Sequence, residues 1–308
     1  MIELAVVVAS ILQDRSSLAL GNVIGSSISN ILRAFSLSLL FHPGRVTFDR
    51  SARTYSALLF FITTSFTVVS LTKSMGRIAG GIFIGAFAIY LVSIGYLIHK
   101  GMLEAPDGSD SEDSDDSDDD GSSRGHGPEA RHDDPPAEIS PLRPNDIGAE
   151  QPAHGGKHSL FYHVATLILG FIALSISGYV LSHSAGSIAN AFNLSGTVLG
   201  VTVLSFATTL PEKFIAIISG ARGHGGIVIA STAGSNIFLL TLCLGITFVS
   251  GNQKELAESV IPFELLVTWA SSALLLPIVI CGSGRRVGGI LLLSYLAFIV
   301  LEFTIYRR

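Results

Sequence analysis

Residues 206–240, FATTLPEKFIAIISGARGHGGIVIASTAGSNIFLL, place one carboxylate, Glu212, in a stretch apolar enough to cross a lipid bilayer. An acid at that depth costs roughly 3 kcal/mol even on the mildest insertion scale, so by default it indicates a functional site. Pro211 cannot donate to the carbonyl of Ala207, and Thr208 lies one turn before Glu212 on the same helical face. The stretch therefore predicts a broken membrane helix with an acid and free oxygen atoms at the break.

The composition is typical of a polytopic membrane protein. Of the 308 residues, 48% are hydrophobic and only 14% are charged, and the mean hydropathy is +0.55. Sixteen of the 24 acidic residues fall between Glu104 and Glu150, which leaves eight for the rest of the chain. A soluble fold of this size would carry more charge on its surface. The acid-poor remainder is therefore predicted to lie in a membrane.

Apolar stretches predict roughly eight full spans and one half span, since a full span needs about 20 residues. We expect a first membrane repeat at 1–98, an acidic disordered loop at 99–158 and a second membrane repeat at 159–308. The distribution of Lys and Arg between alternate loops favours a cytosolic position for the acidic loop. The half span is residues 1–12, and the full spans are 18–41, 55–71, 78–98, 160–181, 197–219, 227–249, 260–281 and 287–305.

The start of the chain repeats the opening stretch. ELAVVVASILQDRSSLALGNVIGSSISNI aligns without a gap with EKFIAIISGARGHGGIVIASTAGSNIFLL, at an offset of 209 residues. Glu3 falls on Glu212, and Gly25 falls on Gly234. Four predicted spans lie between the two acid-bearing helices, so the second is five helices further along, and this odd step makes the copies run in opposite directions. Inverted repeats place their shared site near the bilayer midplane, on discontinuous helices.

The two copies supply oxygen ligands. They combine two carboxylates with hydroxyls, an amide oxygen and exposed backbone carbonyls, and they contain no imidazole or thiolate at these positions. Oxygen ligation suits sodium or calcium and disfavours zinc or copper. For any single Ser, Thr or Gly, simple packing between spans is the alternative. The paired glutamates favour a cation site.

These segments resemble the alpha repeats of the sodium/calcium exchanger superfamily of cation/calcium antiporters. ATTLPE at 207–212 is similar to the family's G-T-S-L-P-E, and GSNIF is present at 234–238. The resemblance implies an all-α polytopic membrane protein with inverted-topology repeats, with about 8 to 9 of an expected 10 transmembrane helices in this chain. It also implies a further helix and a half before Glu3. The ligand positions it implies are Glu3, Ser26 and Asn30 in the first repeat and Thr208, Thr209, Glu212 and Ser235 in the second.

Two positions depart from the family pattern. Leu239 stands where many exchangers carry Asp or Asn, so one coordinating side chain is missing. Ser27 stands where the second copy supplies Asn236. The first departure bears on ion selectivity, and the second bears on helix packing.

The sequence predicts a secondary antiporter that exchanges calcium for sodium, or for a related monovalent ion, by alternating access. Glu3 and Glu212 would be the charged ligands for which the ions compete. The ion gradient would drive exchange, because the chain has no phosphate-binding loop, and no cofactor other than the transported calcium and sodium ions is expected.

The chain is not expected to be an enzyme, since it lacks the H-E-x-x-H pattern of metalloproteases. The expected partners are inorganic cations and the lipid bilayer, without nucleic acid, and the expected location is integral to a membrane with many passes. The alternative function is that of a non-transporting membrane remnant, or of a regulatory partner that lacks a complete cation site.

Overall fold

The computed structural model describes residues 2–100, 158–192, 194–223 and 225–305, so most of the predicted acidic loop lies outside the described residues. One compact unit comprises Met1–Pro106 and Leu167–Arg308. A second unit, Asp107–Thr166, is described only in the first turns of α5. The helices are α1 Ile2–Leu12, α2 Ser16–Phe41, α3 Arg50–Leu71, α4 Arg77–His99, α5 His158–Ala191, α6 Gly196–Thr208, α7 Leu210–Ala221, α8 Gly225–Ser250, α9 Gln253–Ser259, α10 Pro262–Cys281 and α11 Arg285–Thr304.

The described helices confirm an all-α membrane fold. Seven of them, α2, α3, α4, α5, α8, α10 and α11, are long and apolar enough to cross a bilayer. α6 and α7 together give an eighth, broken span, bent by 52°. The break falls at Thr209, where the sequence predicts it, and Pro211 lies at the start of α7, where its missing N–H costs no helical hydrogen bond. α1 is a short apolar helix, as expected of a half span.

One span is longer than predicted. α5 continues to Ala191, although the sequence becomes polar at Ser182 and His183. The buried Ser182 hydroxyl lies 2.9 Å from the hydroxyl of Ser10 on α1, and Gln13 donates to it at 3.3 Å. A hydrogen bond to another helix removes most of the cost of a polar side chain in the bilayer, so the helix extends past the apolar run.

The structure shows the same internal repeat as the sequence. At the offset of 209 residues, α1 and α2 correspond to α7 and α8, while α3 and α4 correspond to α10 and α11. A π-helical turn begins at aligned positions in both copies, as Asn30–Phe35 in α2 and Leu239–Cys243 in α8. The copies also meet at equivalent residues, because Asn236 Nδ2 donates to the carbonyl of Ser27 at 3.4 Å. This contact therefore lies near the pseudo-twofold axis.

α6 crosses α2 at glycine residues. A Cβ atom on Gly25 would lie 2.1 Å from the carbonyl oxygen of Val201, and one on Gly21 would lie 2.4 Å from the carbonyl oxygen of Thr197. A Cβ on Gly200 of α6 would in turn strike the α2 backbone. Membrane helices use small residues in this way because close backbone approach increases van der Waals packing. The crossing fixes the height of α6 along α2.

Alanine in place of Gly25 is expected to disrupt this crossing, because its Cβ would overlap backbone atoms that cannot rotate away. Overpacking typically costs about 1–3 kcal/mol, so the melting temperature in detergent should fall. Gly234 occupies the aligned position in α8 and has open space beside it in the described part of the chain. Gly234→Ala should therefore leave the melting temperature unchanged or raise it. Equal losses in the two variants would contradict the crossing.

Candidate cation site

The glycine crossing brings two predicted ligands together. Ser26 of α2 and Thr208 of α6 are both buried, and their hydroxyl oxygens are 3.5 Å apart. The Thr208 hydroxyl also lies 3.4 Å from Oδ1 of Asn22. Asn22 was not among the predicted ligands, although it lies one turn before Ser26 on the same face of α2. The contact joins oxygen atoms of the first repeat to oxygen atoms of the second.

Asn30 lies one turn beyond Ser26, where the π-helical turn of α2 begins. Its Nδ2 donates to Oδ1 of Asn236 at 3.2 Å, so Asn236 fixes the orientation of the amide. Asn30 Oδ1 is buried and has no hydrogen-bond partner among the described residues. A buried amide oxygen without a donor is costly, and amide oxygens are ligands that sodium and calcium accept. This geometry suits Asn30 to the predicted role.

Thr209 makes contacts of a different kind. Its hydroxyl donates to the carbonyl of Ser205 at 2.6 Å and accepts from Arg33 Nη2 at 3.2 Å and from Lys213 Nζ. Arg33 and Lys213 are both buried, and neither was predicted to belong to the site. The sequence could have singled out Arg33, since it is the only charged residue between 18 and 41. The oxygen of Thr209 thus faces two basic groups.

Glu3 and Ser235 line one cavity of about 530 Å³ between α1, α4 and α8. Glu3 is buried and comes from the first repeat, whereas Ser235 is half-buried and comes from the second. Since a water molecule takes up about 30 Å³ of liquid, the cavity has room for a cation with several waters. The other lining residues are Leu4, Phe87, Leu91, Gly234, Phe238, Leu239 and Leu242.

The side chain of Glu212 lies outside the described part of the structure, although its backbone belongs to the first turn of α7. Of the other predicted ligands, Ser26 lies beside Thr208, and Glu3 shares a cavity with Ser235. The described residues contain no group of three or more His, Cys, Asp or Glu side chains that could hold a metal. Among the described side chains, the predicted ligands offer hydroxyl and amide oxygens and the carboxylate of Glu3.

A second pair of acids lies on α10 and α11, two successive helices of the second repeat. Glu264 and Glu302 are fully buried, and their carboxyl groups are neighbours. None of their four carboxyl oxygens has a hydrogen-bond partner among the described residues. Burial of carboxyl groups without a hydrogen-bond partner is costly. The sequence does not reveal this pairing, which depends on how α10 packs against α11.

Glutamine at position 302 is expected to be tolerated, because its amide has nearly the same shape as the carboxyl group and can donate a hydrogen bond to Glu264. Leucine at the same position provides no donor, and a buried polar group left without one costs about 1–3 kcal/mol. Thermal unfolding in detergent should therefore give a lower melting temperature for Glu302→Leu than for Glu302→Gln. The opposite order would show that a donor for Glu264 does not stabilise the fold.

Comparison with known families decides the identity of the fold. The sequence model described as "Sodium/calcium exchanger protein" matches residues 1–95 and 162–304. The chain belongs to the sodium/calcium exchanger family. As a member of that family it is a polytopic membrane transporter and not an enzyme, and it requires no enzymatic cofactor.

Three relatives illustrate the breadth of the family. "Putative antiporter CaxA" of Alkalimonas amylolytica is 26% identical over 302 residues, which are 95% of this chain and 80% of that protein. "Sodium/calcium exchanger MaX1" of Methanosarcina acetivorans is 29% identical over 144 residues, 46% of this chain and 41% of that protein. Human "Sodium/potassium/calcium exchanger 5" is 26% identical over 151 residues, 46% of this chain and 30% of that protein. These matches support cation antiport as the general activity.

Solved structures share the fold. The structure of native YfkE superimposes with a TM-score of 0.64 at 17% identity, covering 98% of this chain and 80% of that one. The sodium-calcium exchanger NCX_Mj, soaked with sodium and strontium, gives a TM-score of 0.60 at 20% identity, covering 97% of this chain and 82% of that one. The arrangement of helices is therefore that of a known exchanger architecture.

Proposed function

We propose that this protein exchanges calcium for sodium, or for a related monovalent ion, by alternating access. The observation that supports this most directly is the cavity that Glu3 and Ser235 line together. Their helices belong to opposite repeats, and in alternating access one repeat rocks against the other around a fixed site. A site with ligands from both repeats opens toward one side of the membrane and then toward the other.

Competition between ions provides the coupling. Glu3 and Glu212 supply two negative charges, which either one calcium ion or several sodium ions neutralise. Oxygen atoms of the uncharged ligands replace the water shell that the ion loses. An unneutralised acid in the bilayer is costly, so the protein changes between its two states more readily when the site holds ions. The uncharged ligands in this proposal are Ser26, Asn30, Thr208, Thr209 and Ser235.

The names of relatives agree with this choice of ions. The archaeal relative is named a sodium/calcium exchanger, and the human relative is named a sodium/potassium/calcium exchanger. Leu239 removes one oxygen ligand relative to its aligned residue Asn30. The monovalent ion is therefore best determined by offering sodium, potassium, lithium and proton gradients separately.

Calcium uptake into lipid vesicles that contain the 308-residue chain tests the function. An outward sodium gradient should drive uptake of ⁴⁵Ca, and Glu212→Gln and Glu3→Gln should each reduce the rate at least tenfold. That loss follows because each change removes a charge that the ion must neutralise. Glu258 is an exposed acid on α9, so Glu258→Gln is the matched control and should transport like the wild type.

Two results would contradict this function. Calcium uptake that no monovalent gradient drives would favour the alternative, a membrane remnant or a regulatory partner. Uptake that persists unchanged in both Glu→Gln variants would show that ions cross elsewhere.

We further propose that the acidic segment at 99–158, between membrane repeats at 1–98 and 159–308, faces the cytosol. The basis is the small excess of Lys and Arg in the loops on its side. In a Cys281→Ser background, Ser122→Cys should react with a membrane-impermeant maleimide only after cells are permeabilised. Labelling of intact cells would place the segment on the outer side.

A further inference from the structure

The turn between α3 and α4 contains a lysine with a left-handed backbone. Lys73 has a φ of +54°, and its N–H donates to the carbonyl of Ser70 at 3.1 Å at the end of α3. At the offset of 209 residues it aligns with Gly282, which follows α10 with a φ of +72°. Glycine is the usual residue in this conformation, because a Cβ atom makes the conformation strained. A lysine at this position therefore costs free energy that the aligned glycine avoids.

A second left-handed residue of the first repeat makes a useful comparison. Asp14 also has a φ of +54°, and it aligns with Gly223, whose φ is +80°. Short polar side chains such as Asp tolerate this region because they form local hydrogen bonds, whereas lysine does not have this advantage. Residues in strained backbone conformations cluster at functional sites. The presence of Lys73 at the α3–α4 turn therefore indicates a use for its side chain.

Lys73 lines a cavity of about 730 Å³ between the α3–α4 turn and α9. Cavities of about 300–1,000 Å³ commonly hold a ligand. Arg77 and Gln253 also line this cavity, and no acidic side chain does. Most of the other lining residues are apolar, among them Val69 and Ile82. The cavity thus combines two positive charges with an apolar wall.

The position of the cavity limits what can occupy it. α3 and α4 both cross the bilayer, so the turn that joins them lies where the membrane meets water. Ile78 is 84% exposed and Ile82 is 67% exposed, as expected of side chains that face lipid. The acidic segment at 99–158 follows the other end of α4, so it is not the partner of these basic groups. A molecule with an anionic head and an apolar chain complements both the charge and the wall of the cavity.

We propose that this cavity binds an anionic phospholipid, with its phosphate group between Lys73 and Arg77 and an acyl chain along Val69 and Ile82. Basic pockets between membrane helices bind the head groups of anionic lipids. The ligand would repay the cost of the left-handed lysine, because the same side chain at another backbone position would not reach the phosphate in the same way. None of these residues belongs to the candidate cation site, so the proposal does not depend on the exchange function.

The experiment measures the melting temperature of the purified full chain in detergent as phosphatidylglycerol or phosphatidylcholine is added. Binding to the folded state raises the melting temperature, so its dependence on lipid concentration gives an apparent Kd. Phosphatidylglycerol should bind the wild type at least tenfold more tightly than phosphatidylcholine. Since each basic group contributes about fivefold to binding of an anionic lipid, Lys73→Gln and Arg77→Gln should each weaken phosphatidylglycerol binding about fivefold. The double variant should weaken it about 25-fold.

Three further variants separate the charge from the backbone. Glycine suits the left-handed conformation, so Lys73→Gly should melt at or above the wild-type temperature without lipid, yet lose affinity for phosphatidylglycerol as Lys73→Gln does. Lys73→Arg keeps the charge and should keep the wild-type affinity. Lys254 is exposed on α9 and does not line the cavity, so Lys254→Gln should also bind like the wild type.

Several outcomes would overturn the lipid site. Equal binding of the two lipids by the wild type would show that the charges are not recognised, and unchanged phosphatidylglycerol binding in the double variant would show that the lipid binds elsewhere. Inorganic phosphate that raises the melting temperature as much as phosphatidylglycerol would indicate a site for a free anion. One folded variant that lacks a charge is enough to decide. If none of them folds, the charges serve folding, and the proposal is overturned as well. No step measures transport, so a chain that fails to exchange ions can still pass this test.

Discussion

Direct backbone contact between α2 and α6 is the constraint on which the rest of the membrane unit depends. No side chain separates Gly25 from the carbonyl of Val201 at this crossing. That approach lets the hydroxyls of Ser26 and Thr208 come within 3.5 Å of each other. A larger residue at position 25 would push the two repeats apart and separate the oxygen atoms. The close approach at Gly25 is therefore required both for the packing of the helices and for the geometry of the site.

The same duplicated unit provides two different environments. Gly25 is covered by α6, whereas its counterpart Gly234 lines the cavity that contains Glu3. Arg33 lies against aromatic rings, whereas its counterpart Leu242 lines the cavity. Symmetry fixes where the helices run, but individual substitutions set the charge at each pair of aligned positions. The asymmetry of the site is thus a property of a few side chains on a nearly symmetric frame.

Sequence alone predicts the features that depend on local pattern. Apolar length gives the spans, Pro211 gives the break after Thr208, and the offset between Glu3 and Glu212 gives the inverted repeat. The end of α5 could not be predicted, because its polar residue Ser182 is satisfied by α1. These are contacts between helices, and the linear pattern does not record them.

The composition of the candidate site was predictable only in part, for the same reason. Ser26 and Thr208 were named from the repeat, and they meet. Asn236 belongs to the site because it reaches across the pseudo-twofold axis to Asn30. Lys213 follows an acid in the chain and so looks like an ordinary neighbour, yet its ammonium turns back to Thr209. Residue spacing identifies candidates on one helix, whereas tertiary packing selects their partners.

The π-helical turns at Asn30–Phe35 and Leu239–Cys243 divide α2 and α8 near mid-span. In an α-helix each residue turns the chain by about 100°, so one wide turn changes the direction in which all later side chains point. The half before each wide turn carries the candidate ligands Ser26 and Ser235, while the half after it packs separately against neighbouring helices. Deleting one residue within the wide turn would rotate the half after it about the helix axis and leave the half before it in place. In each span, the half before the wide turn and the half after it can therefore face different directions about the helix axis.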